Sequence, residues 1–307
     1  MFEGSLCDVR GLKVGSAQDV KARTGVTAVI CEKGAVCGVD VRGASPGTRE
    51  TDLLRPGAQV RAAHAVLLCG GSAFGLAAAD GAMRYLEERG VGFDTGVARV
   101  PIVPAAVLFD LSVGRPDVRP DSAMGYRACE AAAEAFEQGA FGAGCGATVG
   151  KLVPGVTPAR GGLGSASIRL PGGATVAALA AVNAAGDVFH PHTGALLAAG
   201  TVDGRPAPAE SLLASGGTPR VFPGQNTTIG VVATDAVLTK EQANRLALCA
   251  HDGLARSVRP AHTEVDGDTI FALATGIFPG EAEMVSLCAA AAEAFARAVA
   301  NAVEAGL

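Results

Sequence analysis

A polar turn leads directly into a strand in the segment Gly-Gln-Asn-Thr-Thr-Ile-Gly-Val-Val, residues 224–232. Glycine and asparagine favour turns, whereas threonine, isoleucine and valine favour extended structure, so the segment predicts a strand that begins at Thr227. A threonine at such a junction is either only the first residue of a strand or a nucleophile, because its hydroxyl can attack the carbonyl group of Asn226. Cleavage there would leave Thr227 as a new N-terminus, whose α-amine, with a usual pKa of about 7.7–8.0, would act as the base for the adjacent hydroxyl.

The composition predicts a globular protein with a core of small residues. Hydrophobic residues make up 49% and charged residues 18% of the chain, which excludes a disordered protein. Glycine occurs 42 times and aromatic residues are only 4%, so the core is built from Ala, Val, Leu and Gly and its layers can lie close together. The net charge of −5 gives no reason to expect nucleic acid or a membrane surface as a partner.

The cysteines and the N-terminus predict a cytoplasmic protein. None of the eight cysteines forms a CxxC pair and most lie in apolar runs, as expected of reduced, buried thiols. The first residues lack the basic and apolar regions of a signal peptide, and the longest apolar stretches are interrupted by glycine or charge, so no transmembrane helix is expected. His190 and His192 have no carboxylate or cysteine at ligand spacing, and we therefore expect no metal and no cofactor.

Strand and helix signals alternate along the chain. Strands are predicted at 165–170, 174–183 and 269–274, a hairpin at 26–31 and 35–42, and a short strand at 105–111. Four helices are predicted. The first spans 73–89 and is capped by Ser72, and the second spans 122–138. The third begins at a capping box formed by Thr239 and Gln242, and the fourth begins at residue 281. Residues 184–224 are rich in Pro, Gly, Ser and Ala and are predicted to form a flexible linker.

Three polar features accompany the Asn226–Thr227 junction. Asp266 and Asp268 flank a glycine directly before a strand, where they either orient an ammonium and a hydroxyl group or form a solvated or calcium-type turn. Lys151 is the only charged residue in 142–153, where burial would lower its pKa, although a surface lysine after a loop also fits. Asn183 ends an apolar strand, where it is either an oxyanion donor or a turn residue.

A fourth feature is the pair Gly70-Gly71 followed by Ser72 at a predicted helix start. Backbone N–H groups at such a point can bind an anion or a carbonyl group. The spacing is not the GxGxxG of a dinucleotide site, and the chain has no GxSxG nucleophile elbow.

Together these motifs resemble one family. They are Gly-Gly-Ser-Ala-Phe-Gly-Leu at 70–76, Lys151, Asn-Thr-Thr-Ile at 226–229 and Thr-Glu-Val-Asp-Gly-Asp-Thr at 263–269. The chain resembles the self-processing N-terminal-nucleophile peptidases that include L-aminopeptidase/D-esterases, β-peptidyl aminopeptidases and nylon-oligomer (6-aminohexanoate-oligomer) endohydrolases. It is more similar to the nylon-oligomer branch, because the aminopeptidase branch typically has a serine nucleophile and a Ser-x-Glu in place of the two aspartates.

The resemblance implies an α/β fold, the four-layer αββα sandwich of N-terminal-nucleophile hydrolases. It implies a single domain, 1–307, that cleaves itself into a large subunit, 1–226, and a small subunit, 227–307. The subunits are expected to stay associated and the cleaved heterodimer to form a homotetramer.

The resemblance also assigns roles to individual residues. Thr227 matches the nucleophile, Asp266 and Asp268 the neighbouring carboxylates, Lys151 the catalytic lysine and Asn183 the asparagine on the oxyanion side.

Four further residues are predicted to contact substrate, namely Gly70, Gly71, Ser72 and Phe109. The family position of Phe109 can hold a tyrosine whose hydroxyl assists the site, so phenylalanine would remove one hydrogen bond.

The predicted activity is hydrolysis of a small peptide or amide oligomer through an acyl-enzyme, including activity on 6-aminohexanoate oligomers. Three alternatives remain open: an aminopeptidase acting on α- or β-peptides, an acyltransferase of similar fold, and an uncleaved, inactive binding protein. Ornithine acetyltransferases typically cleave before the threonine of Lys-Gly-Thr, which is absent here.

Overall fold

The computed structural model describes residues 1–219 and 225–305. The strands are β1 Lys13–Asp19, β2 Thr24–Val41, β3 Thr48–Arg49, β4 Ala62–Cys69, β5 Phe93–Asp94, β6 Arg99–Val100, β7 Ala105–Val107, β8 Thr148–Val149, β9 Ala159–Arg160, β10 Gly162–Arg169, β11 Thr175–Asn183, β12 Asp187–Phe189, β13 Leu196–Ala198, β14 Thr201–Val202, β15 Arg205–Pro206, β16 Thr227–Thr234, β17 Val258–Arg259 and β18 Thr269–Ala274. The α-helices are α1 Ala78–Glu87, α2 Ser122–Glu130, α3 Ala209–Ala214, α4 Lys240–Ser257 and α5 Met284–Glu304. Short 3-10 helices lie at Leu6–Asp8, Asp52–Leu54, Ser72–Ala77 and Gly142–Gly144.

The main sheet is mixed and runs in the order β10-β11-β16-β18-β2-β4-β7-β3, with β1 paired to β2. Strand β16 lies in its interior, antiparallel to β11 and parallel to β18. The long strand β2 pairs with β1 and β4 through its first part and with β18 through its last part. The β2–β4 register shifts between Ile30 and Ala35. Such an irregularity bends a strand, so β2 connects two stacked halves of the sheet.

Side chains that alternate along the strands divide the core into three apolar layers. The middle layer joins the facing sides of the two sheet halves and includes Val29, Leu68, Leu179, Val231 and Phe271. Helices α4 and α5 cover one outer face, and α1 and α2 cover the other. The layer order is therefore helix, sheet, sheet, helix, which confirms the αββα fold that the resemblance implied.

Close packing of small residues holds these layers together. A Cβ on Gly253 of α4 would lie 1.9 Å from the carbonyl oxygen of Ala292 in α5, a distance that no side chain tolerates. Glycine at this position therefore permits the backbones of α4 and α5 to touch.

Two predicted elements near the start of the chain differ from the structure. The hairpin predicted at 26–31 and 35–42 is wrong, because Glu32 and Lys33 continue a single strand and the segments on either side pair with different neighbours. The helix predicted at 73–89 begins as the 3-10 helix Ser72–Ala77 and becomes α-helical only at Ala78. Its N-cap is the left-handed Gly71, not Ser72.

Two later predictions also need correction. The helix predicted at 122–138 ends at Glu130, because the chain turns at Ala131–Ala132 and Ala133 pairs with Val14 of β1. The described part of the predicted linker 184–224 carries β12–β15 and α3, and β12 pairs with β17. Residues 220–224 of that segment lie outside the described residues.

Other local signals are confirmed. The capping box of Thr239 and Gln242 begins α4, and β18 has the predicted bounds, Thr269–Ala274. All eight cysteines are free thiols. None of the helices in the described ranges is both long and apolar enough to span a bilayer.

Candidate active site

The strand order brings the predicted polar residues to the beginning of β16. Thr227, the first residue of β16, is the register partner of Asn183, the last residue of β11. On the other side, Asn226 forms a parallel bridge with Asp266, just before β18. Because β16 is an inner strand with a neighbour on each side, residues far apart in sequence meet at its first residue.

The bond between Asn226 and Thr227 lies in a buried and hydrogen-bonded environment. The hydroxyl of Thr227 donates to the carbonyl oxygen of Asn226. The backbone N–H of Gly267 donates to the same oxygen at 2.9 Å. The carbonyl carbon that Thr227 would attack is thus already polarised by a fixed donor.

The close approach of Gly267 depends on its lack of a side chain. A Cβ at this position would lie 2.8 Å from Oγ1 of Thr227 and 2.6 Å from the carbonyl oxygen of Ser45. In the sequence, Gly267 served only as the spacer between two aspartates. Its N–H was missed because a backbone donor has no residue-type signal.

The two aspartates have different partners. Asp268 accepts the N–H of Thr228 at 2.7 Å and contacts Nδ1 of His262 at 2.8 Å. Asp266 accepts the N–H and the hydroxyl of Thr263. Burial, together with the charge of Asp268, raises the pKa of Asp266 above its usual range. Asp266 therefore stabilises the turn that precedes Gly267, and Asp268 connects that turn to the start of β16.

Lys151 contacts Asn183 across the site. Its Nζ donates to Oδ1 of Asn183 at 2.7 Å and to Oγ1 of Thr148 at 2.9 Å. Burial lowers the pKa of Lys151 to about 7, although the carboxylates of Asp266 and Asp110 act in the opposite direction. The neutral amine is therefore available near neutral pH as a proton acceptor.

The side chain of Asn183 is buried and uses both ends of its amide. Its Oδ1 accepts from Lys151 and from the N–H of Thr148 at 3.0 Å. Its Nδ2 donates to the carbonyl oxygens of Phe109 at 3.0 Å and Gln225 at 3.4 Å. Asn183 thus orients Lys151 and contacts the chain just before the Asn226–Thr227 bond.

The backbone N–H groups of Gly70, Gly71 and Ser72 in the predicted anion cradle are all engaged within the chain. The N–H of Gly70 donates to Gly25, that of Gly71 to Oδ1 of Asp110 at 2.7 Å, and that of Ser72 to Leu108. The structure therefore does not bring these three residues into contact with Thr227, and substrate binding by them stays a prediction. Their N–H groups hold the segment that carries Phe109.

A cavity of about 450 Å³ adjoins the Asn226–Thr227 bond. Its lining includes Phe109, Thr148, Lys151, Gln225 and Asn226. A cavity of this size accepts a small substrate. Phe109 thus lines the same cavity as Lys151, and its contact with substrate stays a prediction.

Two histidines behind Asp268 were not recognised in the sequence. The ring of His262 lies 4.9 Å from that of His251, and Nε2 of His251 contacts the carbonyl oxygen of Asp40 at 3.0 Å. Burial opposes the charged form of His262, but the hydrogen bond and charge of Asp268 raise its pKa. Burial lowers the pKa of His251 to about 4. The position of His262 directly before the segment Thr263–Asp268 was the available signal.

Similarity to a solved structure defines the class of fold. The structure of the L-aminopeptidase D-Ala-esterase/amidase of Ochrobactrum anthropi, described as a variant of the N-terminal-nucleophile (Ntn) hydrolase fold, superposes with a TM-score of 0.72. The two chains are 20% identical, and the match covers 98% of this chain and 86% of that one. This protein therefore has an Ntn-hydrolase type of fold.

Sequence comparison then gives the family. The model of peptidase family S58 matches residues 4–306. The chain is 46% identical over 328 residues to an uncharacterized aminopeptidase of Mycobacterium tuberculosis, covering 96% of this chain and 92% of that protein. It is 32% identical over 280 residues to the 6-aminohexanoate-oligomer endohydrolase of a Kocuria species, covering 87% and 74%. The chain belongs to peptidase family S58 and is a hydrolase of peptide or amide bonds.

Proposed function

We propose that the chain cleaves itself between Asn226 and Thr227 and then uses Thr227 as the N-terminal nucleophile of an amide hydrolase. The observation that carries this proposal is the contact between the Thr227 hydroxyl and the carbonyl group that it would attack. The N–H of Gly267, 2.9 Å from the same carbonyl oxygen, supports it. A fixed donor of this kind is typically worth about 2.7–4 kcal/mol of transition-state stabilisation.

In the proposed self-cleavage, Oγ1 of Thr227 forms a bond to the carbonyl carbon of Asn226 and transfers its proton to neutral Lys151. The resulting oxyanion accepts the N–H of Gly267. The peptide C–N bond then breaks, and the nitrogen takes the proton from Lys151 and becomes the α-amine of Thr227. Water hydrolyses the ester that remains, which leaves a carboxylate on Asn226 and restores the hydroxyl.

Substrate hydrolysis repeats the same acyl transfer. The α-amine of Thr227 removes the proton from the hydroxyl, which attacks the substrate carbonyl and forms an acyl-enzyme ester that water resolves. Lys151 assists proton transfer, and Asn183 is proposed to stabilise the oxyanion once Gln225 has left its Nδ2. Asp268, which accepts the N–H of Thr228, orients the beginning of β16.

The two products, 1–226 and 227–307, are proposed to remain one folded unit. Strands β16 and β18 of the small product lie between β11 and β2 of the large one. Separation would therefore break hydrogen bonds on both sides of an inner pair of strands. Assembly into a homotetramer and a cytoplasmic location remain expectations from the resemblance and the sequence.

The substrates are proposed to be small peptides or amide oligomers with a free amino group. Relatives with the names aminopeptidase and 6-aminohexanoate-oligomer endohydrolase support α-peptides and ω-amino acid oligomers alike. A panel of p-nitroanilides of α- and β-amino acids, together with 6-aminohexanoate oligomers, separates these classes. Product analysis with an added amine acceptor detects acyl transfer in place of hydrolysis.

The direct test compares two neighbouring threonines. We expect wild-type protein to give two chains by intact mass and the sequence Thr-Thr-Ile-Gly by Edman degradation. Thr227→Val should remain one chain of 30.5 kDa and hydrolyse no member of the panel. Thr228→Val is the matched control, because the Thr228 hydroxyl has no hydrogen-bond partner within the described part of the chain.

Cleavage or amide hydrolysis by Thr227→Val would refute the proposal. An uncleaved wild-type protein that still hydrolyses amides would refute it as well, because Thr227 would then have no free α-amine to act as the base.

A further inference from the structure

The cavity beside the Asn226–Thr227 bond is lined by three basic residues, Lys151, Arg23 and Arg160, and by no acidic residue of the described chain. The presence of Lys151 is already explained by its contacts with Asn183 and Thr148. The two arginines have no place in the mechanism above. Their presence in a small cavity therefore calls for a ligand that matches a guanidinium group.

Arg160 is placed in the cavity by the short ladder of β8 and β9. It lies directly opposite Thr148, and residues directly opposite each other in an antiparallel pair project from the same face. The hydroxyl of Thr148 accepts a hydrogen bond from Nζ of Lys151. The side chain of Arg160 and the Thr148 hydroxyl that contacts Lys151 therefore lie on the same face of the β8–β9 ladder.

Arg23 reaches the cavity from the turn between β1 and β2. Its backbone is left-handed, with φ of 55°, which is unfavourable for a residue with a side chain. A Cβ on Gly146 would lie 2.0 Å from the carbonyl oxygen of Arg23, so the two backbones are in direct contact. The turn that carries Arg23 is therefore packed against the segment leading to β8.

Neither guanidinium group is neutralised by the protein. Within residues 1–219 and 225–305, ten arginines form ion pairs with aspartate or glutamate, and Arg23 and Arg160 are among those that form none. A planar guanidinium group binds a carboxylate through two parallel hydrogen bonds. In the described part of the uncleaved chain, the cavity thus offers two guanidinium groups that have no ion pair.

We propose that this cavity is a carboxylate-binding subsite, so that the preferred substrates are amides whose acyl part carries a free carboxylate. We place the carboxylate on the acyl part and not on the leaving group for a geometric reason. Gln225 and Asn226 line the cavity, and they form the acyl side of the bond that Thr227 attacks. A substrate acyl group bonded to Oγ1 of Thr227 takes the place that Asn226 held, and therefore lies on the cavity side of that bond. This inference rests on the proposed function, since it requires Thr227 to form an acyl-enzyme.

The test uses substrate pairs that differ only in carboxylate against carboxamide. The acyl arm compares glutamyl with glutaminyl p-nitroanilide, and the leaving-group arm compares alanylglycine with alanylglycinamide. We expect wild-type kcat/KM to favour the glutamyl substrate by about tenfold or more, because hydrogen bonds between two charged groups are the strong ones. The preference should shrink as salt is added, since the cavity is open to solvent.

Substitution of the arginines identifies the source of the preference. In Arg23→Gln, Arg160→Gln and the double variant, the glutamyl-to-glutaminyl ratio should fall towards one, with intact mass confirming normal cleavage. Arg245→Gln is the matched control, because Arg245 is exposed on α4 and is likewise without an ion pair in the described chain. This control should retain the wild-type ratio.

Several results would overturn the inference. A ratio near one in wild type, or a ratio that survives the double variant, would exclude the subsite. A preference confined to the leaving-group arm would place the carboxylate on the other side of the bond. Equal slowing of both acyl substrates by the substitutions would mean that the arginines hold the new C-terminal carboxylate of Asn226 instead. Failure of every substrate, including neutral alanyl p-nitroanilide and the wider panel, would refute the proposed function itself.

Discussion

At the scale of single residues, the carbonyl oxygen of Asn226 is the most informative atom. It accepts one hydrogen bond from the hydroxyl of Thr227 and another from the N–H of Gly267. Asp268 fixes the next residue along β16 by accepting the N–H of Thr228. The reacting groups are therefore held by the backbone as much as by side chains.

The first prediction concerns Gly267→Ala. An added Cβ would lie 2.8 Å from Oγ1 of Thr227, so the hydroxyl or the Gly267 N–H must move. A displacement of this kind can reduce a rate by about 10²-fold. We expect self-cleavage, followed by denaturing electrophoresis of newly made protein, to slow to that extent.

Gly172→Ala is the control for this variant, because a Cβ at Gly172 meets no described atom within 4 Å. Equal cleavage rates in the two variants would exclude a role for the space around Gly267.

The second prediction concerns the pH dependence of self-cleavage. The pKa of Lys151 is about 7, so the fraction of neutral amine rises as pH increases towards 7 and levels off above it. Cleavage should rise about tenfold per pH unit below 7 and then reach a plateau. The measurement uses the precursor, because the nitrogen of Thr227 is still an amide there and cannot titrate.

The variant Lys151→Arg distinguishes the titration of Lys151 from that of other ionisable groups, since a guanidinium group stays charged throughout the pH range. It should cleave slowly at every pH. A wild-type rate that is independent of pH between 5.5 and 8.5 would contradict the role of Lys151 as proton acceptor.

At the scale of elements, β16 and β18 determine what the site can contain. Their parallel pairing brings the Asp266–Asp268 turn beside the start of β16, and the antiparallel partner β11 brings Asn183. Helices α4 and α5 cover the outer side of these strands. The position of the site therefore depends on the packing of that helix pair against β16 and β18.

The third prediction tests this packing with Gly253→Ala. Helix propensity alone favours alanine by roughly 1 kcal/mol, but its Cβ would lie 1.9 Å from the carbonyl oxygen of Ala292. Forced separation of packed elements typically costs about 1–3 kcal/mol, so we expect a net loss of stability. Urea unfolding in the Thr227→Val background measures this on a single chain.

Asp252→Ala, at the exposed neighbouring position of α4, is the control and should not destabilise the protein. Equal or greater stability of Gly253→Ala would show that α4 and α5 adjust without cost.

The sequence predicted elements whose signals are local. Strand β18 and the capping box of α4 have the predicted bounds because alternation and capping involve neighbouring residues only. The start of β16 at Thr227 was also predicted. The hairpin at 26–42 was wrong, because distant partners decide whether a short polar segment turns or continues.

The site could be predicted in part for the same reason. Asn183, Lys151 and the two aspartates have side chains whose types suggest chemistry, and the fold brings them together. Gly267 acts through a backbone N–H that every residue possesses. The donors of Gly70, Gly71 and Ser72 are engaged within the chain, which no local pattern could reveal.

At the scale of the whole molecule, the predicted cleavage point lies inside the fold instead of between domains. One sheet contains strands from both sides of the cleavage point, because β16 and β18 lie between β11 and β2. The middle apolar layer likewise combines residues from both sides, such as Leu179 and Val231. A cut at this point would remove one covalent bond, and we expect it to leave the packing in place.

The fourth prediction follows from this arrangement. Mature protein should elute as one species from a size-exclusion column and give two bands only after denaturation. Residues 227–307 should be recovered in the active fraction at a one-to-one ratio with 1–226. The Thr227→Val protein serves as the uncleaved reference, and release of the small chain under native conditions would contradict the prediction.

The pairing of β16 with β18 also has a consequence for timing. Thr227 meets Gly267 only after forty residues have been synthesised beyond it and the two strands lie side by side. Under the proposed mechanism, an unfinished or misfolded chain would lack this contact and would not cleave itself. Formation of the reactive N-terminus would then depend on correct folding, so that no active hydrolase would form before the chain is complete.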